Sequence, residues 1–374
     1  MKKFLIKWSA ISAIVFSSMA FTAEKARDLT DCPLAYAPYS IDTPLFDLLL
    51  DPRSASVIDN TLPKLGSYFS TQVPTIATTM TPKNLTEYMP ALAEKMDSLN
   101  SALATIPITN ETATARCARY DHAPPNFPVP TKHPAILVFE KIAGFLDQPS
   151  VDAARRALSE IAARRGWSIT FTDNGAVFNA AQLKNYDAVV WNNNSGDVLT
   201  LSQRAAFENY LKNGGGFAGI HGAGGDHLYL WDWYADTLIG ARFIGHPMNP
   251  QFQTGTVDVN RSESGVTEGL PDQWSMKEEW YSFASNPRSK GATILVALDE
   301  STYKPEAKLS MGGEHPLAWT QCIKNGRSFY TAIGHRPESY TEPNSAKLLE
   351  QGIAWSLGVG KTSCKNGKEV QRAH

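Results

Sequence analysis

Residues 213–247 read NGGGFAGIHGAGGDHLYLWDWYADTLIGARFIGHP, and the fold is decided there. Three glycines lead into a short apolar run, Phe217 to Ile220, that ends on His221, and a glycine-rich turn, Gly222 to Gly225, precedes Asp226. A buried strand, a sharp turn and a helix account for this order. The turn needs residues without a β-carbon, so that the backbone can take positive φ and a ligand can come close. The carboxyl end of the strand then presents His221 to a crevice. His246 closes the segment after another apolar run, Ala241 to Ile244. Asp226 and His227 open the expected helix: Asp226 suits an N-cap, a site carboxylate or both, and His227 reads as a surface residue.

Working outward, the flanks have the texture of a parallel α/β protein. AILVF (135–139), SITFT (168–172) and DAVVW (187–191) read as buried strands, residues 151–165 and 201–211 as helices, and 216–220 as the fourth strand. Apolar runs alternating with helices imply a parallel sheet covered on both faces, with ligands held outside the carboxyl ends of its strands. After His246, QFQTGTVDVN, ATILVALDE, PLAWTQCI and RSFYTAIG read as strands that extend the sheet, followed by a helix at 345–355.

Five pieces in order, GGGFAGIHGA, WDWYADTLIGARF, GHP, KEEWYSF and AIGH, make residues 135–358 resemble the trehalose-utilisation (ThuA-like) family. The resemblance implies the fold of class I glutamine amidotransferases, a flavodoxin-like three-layer α/β sandwich with a mostly parallel sheet. Where those enzymes carry a cysteine nucleophile, this chain has His221, and no cysteine lies near it, so glutamine hydrolysis through a thiolate is excluded. Sugars, disaccharides or their oxidised derivatives are the implied substrates. Family members usually carry a histidine in the loop after the first strand; here KIAGFLDQPS offers Asp147.

The 374 residues are 43% hydrophobic and 10% aromatic, ample for one large or two medium domains. Residues 1–23 have the build of an export signal: early lysines, an apolar centre from Ala10 to Phe16, and small residues placed for cleavage after Ala20 or Ala23. The apolar part is short of the roughly 20 residues that span a bilayer, so no membrane span is expected after cleavage, and a periplasmic or secreted protein is. Loss of Lys2, Lys3 and Lys7 takes the formal charge from −2 to −5, which argues against nucleic acid as a partner.

The expected layout after the signal is a small helical N-terminal domain (24–121), a proline-rich linker (122–134), the α/β domain (135–360) and a polar tail (361–374). No chemistry attaches to the N-terminal part; it reads as a covering, docking or dimerising module, which leaves homo-oligomerisation open. In an oxidising compartment Cys32, Cys117, Cys322 and Cys364 suggest two disulfides. Pairing within domains favours Cys32 with Cys117 and Cys322 with Cys364.

The site candidates are three imidazoles and their neighbours. His221 stands on the glycine turn, His246 is held by the rigid proline after it, and His335 follows the last strand. Of the adjacent acids in KEEWYSF, Glu278 and Glu279, only one can face the crevice if the segment is extended, and the resemblance points to Glu279. Trp280 or Tyr281 suits stacking on a sugar ring, and Gln251 or Gln253 a hydrogen bond to its hydroxyls. Trp231, Tyr234 and Trp319 are expected nearby or, equally, in the core, and His315 is a lesser candidate. These residues support two chemistries. Without metal, a histidine moves a proton beside a sugar carbonyl while others polarise the oxygen; with metal, two or three of His221, His246 and His335 ligate a divalent ion. A non-catalytic sugar-binding protein is the third reading. No cofactor is indicated beyond that ion.

Overall fold

The structure is a computed structural model describing residues 29–62, 80–226 and 228–371; the export-signal segment and His227 lie outside these. The apolar runs on either side of the decisive stretch become β1 (Ala135–Phe139), β2 (Ser168–Thr172), β3 (Ala188–Asn192) and β4 (Gly216–Ile220). Downstream come β5 (Phe243–Gly245), β6 (Phe252–Val259), β7 (Gln273–Glu279), β8 (Ser282–Phe283), β9 (Thr293–Asp299), β10 (His315–Ile323) and β11 (Gly326–Thr331). The main sheet has nine strands in the order β2-β1-β3-β4-β11-β10-β9-β6-β7. It is parallel from β2 through β11 and antiparallel beyond, as the change in sequence pattern after His246 leads one to expect.

Side chains alternate between two cores. Leu137, Phe139, Val189 and Phe217 pack on one face with Phe207 and Leu211 of a helix at Leu201–Lys212. Ile136, Val138 and Ala218 pack on the other with Leu158 and Ile161 of a helix at Gln148–Arg165 and with Leu349, Ile353 and Trp355 of one at Pro343–Ser356. Helices on both faces make the three layers of the flavodoxin-like, class I glutamine amidotransferase-like sandwich. The chain passes from β1 to β2 on one side and then returns past β1 to β3, and this reversal opens a crevice above the carboxyl ends of β1 and β3.

The helix expected to open at Asp226 does not form there. A 3-10 turn, His221–Gly224, follows β4, and helical structure resumes only at Asp232, passing into a π-helix at Tyr234–Ile239 that ends on Gly240. Among the described residues Asp226 caps no helix: its carboxylate accepts from the Gly196 amide, in the loop after β3, at 2.7 Å.

The N-terminal region is helical, with α1 (Leu45–Leu50), α2 (Pro52–Thr61), α3 (Pro82–Tyr88), α4 (Met96–Ala104) and α5 (Asn110–Cys117). Leu45, Leu48, Ile58, Leu99 and Leu103 form its core, and a Cys32–Cys117 disulfide ties the segment before α1 to α5. A second disulfide, Cys322–Cys364, fastens to β10 a terminal hairpin of β12 (Thr362–Lys365) and β13 (Lys368–Gln371). Both bonds are compatible with an exported protein. No described helix is long and apolar enough to cross a membrane.

Gly216 shows how closely helix and sheet approach: a β-carbon there would lie 2.0 Å from the Ser356 carbonyl oxygen. Gly216→Ala is expected to lower stability by about 1–3 kcal/mol, the usual cost of overpacking a filled interior, read as a fall in urea midpoint with unchanged slope. A midpoint equal to that of the parent would show that the helix end yields freely.

Candidate functional site

Four separate chain segments deliver one cluster of polar side chains. His221 follows β4, Glu279 ends β7, His335 lies in the loop after β11, and His246 follows β5. His221 Nε2 and His335 Nδ1 are 3.2 Å apart, and Glu279 Oε2 lies 3.3 Å from the first and 3.1 Å from the second. Among the described residues, these are the three that bring imidazole and carboxylate ligand atoms close enough to share one metal ion. The other carboxylate oxygen, Oε1, accepts from Gln251 Nε2 at 2.5 Å and faces His246 Nε2 at 3.2 Å. His246, with 21% of its side chain exposed against 4% for His221, stands on the solvent side of the group.

The outer nitrogens of the two inner histidines are spoken for. His221 Nδ1 is 2.7 Å from the Ala332 carbonyl oxygen, which can only accept. His335 Nε2 is 3.4 Å from Asp147, whose carboxylate also accepts from Ser150. Asp147 thus serves His335. Burial opposes the charge on Glu279, yet hydrogen bonds from His221 and His335 hold its carboxyl well below the usual carboxylate range. Burial alone would depress His335; the hydrogen bond and charge of Glu279 outweigh it and raise its pKa above the ordinary imidazole value.

Positive φ was expected on the glycines of the turn. It falls on His221 itself, at +39°, a conformation that side-chain-bearing residues rarely take. The glycines supply room instead. A β-carbon at Gly222 would meet the Asn193 carbonyl oxygen at 2.9 Å, and one at Gly225 the Tyr281 hydroxyl at 2.7 Å. Tyr281 stacks on His221 with ring centroids 4.1 Å apart and lies nearly parallel to His246 at 6.0 Å.

Other candidates lie elsewhere. Trp319 is fully buried and donates to the Ile239 carbonyl, while Trp231 stacks on Trp233 and Tyr234 and donates to Glu208; neither has a polar or ring contact with the cluster. Trp280 is buried and donates to the Gln253 carbonyl, so Gln253 and Trp280 brace the strand. His315 is buried between the Tyr281 carbonyl and Glu300 and steadies the backbone beneath Tyr281. Asp226 lies outside the hydrogen-bonded cluster; burial pushes its carboxyl up to about 7.

Sequence reasoning passed over Phe145 and Phe252, whose rings flank His335 at 6.4 and 5.1 Å. Phe252 had a signal, since it lies between the two glutamines already singled out. Glu278 was set aside as the acid facing away, and it has a task of its own. It accepts from the amides of Glu279, Gly334 and Arg336 and from Ser339, so it clamps the loop that carries His335. Glu278→Ala would strand several buried donors, at about 1–3 kcal/mol each. A loss of at least about 3 kcal/mol by urea denaturation is expected, and a loss below about 1 kcal/mol would deny it that role.

A family model described as trehalose utilisation matches residues 135–356. A putative ThuA-like protein from Bacteroides uniformis superposes with a TM-score of 0.52 at 24% identity, over 63% of this chain and 97% of that one. Another from Parabacteroides merdae has a TM-score of 0.48 and 18% identity, over 64% and 93% of the two chains. No curated protein matches. The match to the family model covers more than half of the chain and contains His221, His246, Glu279 and His335, and the chain belongs to the trehalose-utilisation (ThuA) family.

Proposed function

We propose that this is an exported, metal-dependent enzyme acting on a sugar or keto-sugar, with His221 Nε2, His335 Nδ1 and Glu279 Oε2 holding one divalent ion. The observation that carries this is the convergence of two imidazole nitrogens and one carboxylate oxygen, each ring with an acceptor near its outer nitrogen. The Ala332 carbonyl accepts from His221 Nδ1, and Asp147 lies 3.4 Å from His335 Nε2, so each ring can keep a proton on its outer nitrogen and give the lone pair of its inner nitrogen to an ion. Those two nitrogens and Glu279 Oε2 lie 3.1–3.3 Å apart, held by hydrogen bonds when the rings are protonated there and spaced to surround a cation when they are not. A tetrahedral ion with bonds of 2.0–2.1 Å sets its ligands about 3.3 Å apart. Carbonyl and carboxylate partners behind ligating histidines are the usual outer support of such a centre.

A bound ion of this kind supplies a Lewis acid that polarises a carbonyl or hydroxyl oxygen. The chain's own residues do the rest. His246, at the open side with Nε2 3.2 Å from Glu279 Oε1, is suited to moving a proton to or from substrate. Gln251 fixes Glu279 Oε1, and the rings of Phe145, Phe252 and Tyr281 give a sugar's apolar face a surface to lie on and keep water from the inner nitrogens. The family's description, trehalose utilisation, supports sugars as the substrate class. The two disulfides support export.

Purified protein is expected to bind one equivalent of zinc or manganese. By calorimetry, His221→Ala and Glu279→Gln should each weaken binding by more than about a hundredfold, and Asp147→Asn by roughly 10–100-fold. Turnover of a keto-sugar that survives chelation with full activity would return the site to metal-free acid–base chemistry. His246→Ala should retain the metal and lose about 10²–10⁴ in turnover. Sugars that bind and stay intact in a screen including oxidised glycosides would make the protein a binder.

A further inference from the structure

The family match begins at residue 135, and the N-terminal helices before it have so far no task. They meet the α/β sandwich at the crevice above β1 and β3, where a cavity of about 270 Å³ is walled by Phe46 of α1 and Arg119 after α5 on one side and by Lys141 and Ile142 after β1 on the other. Leu228 and Leu230 line it too.

The charge balance of the wall selects a class of ligand. Arg119 is paired with Asp47, Lys141 Nζ is 2.5 Å from Asp121, and Asp197 at the cavity's edge is paired with Arg204. An ionic ligand would find each of these charges already answered. Phe46, by contrast, is 36% exposed, and the Arg119 guanidinium lies over its ring, 5.4 Å from the centroid. Behind the cavity, sharing its Gly196, Asp197, Leu228 and Leu230, is a smaller void of about 30 Å³ whose lining includes Trp191 and Asn194. Among the described residues Trp191 Nε1 and Asn194 Oδ1 are buried without a hydrogen-bond partner, and that void has room for a bridging water or a ligand hydroxyl. Apolar walls with neutralised charges and two unanswered polar atoms at the back suit a neutral, amphipathic ring.

The cavity is coupled to the histidine cluster through one loop. Lys141 and Ile142 line the cavity, and Asp147, five residues beyond Ile142, supports His335. Between them the amides of Ala143 and Gly144 donate to the Ser195 carbonyl, and Ser195 Oγ donates to the Phe145 carbonyl, so this loop is fastened to the one after β3. Phe145, which flanks His335, is 48% exposed and lies in the stretch joining the two sites.

We propose that the N-terminal helices complete a second ligand cavity, which takes the neutral, largely apolar ring attached to the sugar handled at the histidine cluster. This deepens the reading above and rests on its assignment of sugars to that cluster. The helices then determine which glycosides are accepted, while the family portion carries the chemistry.

The test compares binding of methyl glucoside and 4-nitrophenyl glucoside, both anomers of each, to the metal-loaded full-length protein by calorimetry. Phe46→Ala removes one wall at a half-open position, and Ile142→Trp fills the space. Thermal unfolding of each variant should match that of the parent. The expected result is that the parent prefers the nitrophenyl glycoside by about tenfold, and that either variant abolishes the preference without changing affinity for the methyl glycoside. A preference that persists unchanged in both variants, or a parent that binds the two glycosides equally, overturns the cavity's role and leaves the sugar reading of the cluster intact. Absence of binding for every glucoside, with metal still held, overturns the sugar reading and this proposal with it.

Discussion

A buried carboxylate among imidazoles is the constraint around which this molecule is arranged. Glu279 is 2% exposed, and a carboxylate out of water is tolerated only when opposite charge or hydrogen-bond donors surround it. Its immediate neighbours are His221, His246, His335 and the donor Gln251, so four stretches of chain, its own included, must arrive together or the charge goes uncompensated. The adjacent Glu278 performs the complementary task on the other face of the strand by accepting from the backbone of the His335 loop. Two neighbouring acids thereby tie the end of β7 both to the cluster and to the loop that feeds it.

That convergence sets the shape of the sheet. β4 and β7 are separated by β11, β10, β9 and β6, and in a flat sheet five steps of about 4.8 Å would place them about 24 Å apart. His221 and Glu279 are nonetheless 3.3 Å apart, so the antiparallel portion curls back over the carboxyl ends of the parallel strands. The register shifts around Ala318, where β10 pairs with β9, are the kind of irregularity that bends a sheet. The parallel half builds the crevice, and the antiparallel half returns to close one side of it.

The two inner histidines are held by unlike means. His221 is fixed by backbone geometry, with positive φ, the Ala332 carbonyl on one nitrogen and the Tyr281 ring against its face. His335 is fixed by side chains, with Asp147 on its outer nitrogen and Glu278 gripping the surrounding amides. In the loop after the first strand, this chain has a carboxylate that faces a histidine from another loop.

The parallel half of the fold was legible in the sequence because buried strands announce themselves as continuous apolar runs: Ala135–Phe139 and Gly216–Ile220 appear where the runs lie. His221, His246, Glu279 and His335 could be singled out from glycine spacing and family motifs, since both are local in the chain. Their meeting could not be read, because it depends on a sheet that curls over five strand positions. Nor could the release of Trp231 and Trp319 to the core, the capture of Asp226 by the Gly196 amide, or the task of Glu278. Each depends on a partner far away in sequence, and periodicity records only which face a side chain takes. The sequence by itself determined which residues could carry chemistry and where the parallel strands run; tertiary structure alone decided which atoms face one another, because charge compensation is settled by contacts between distant segments.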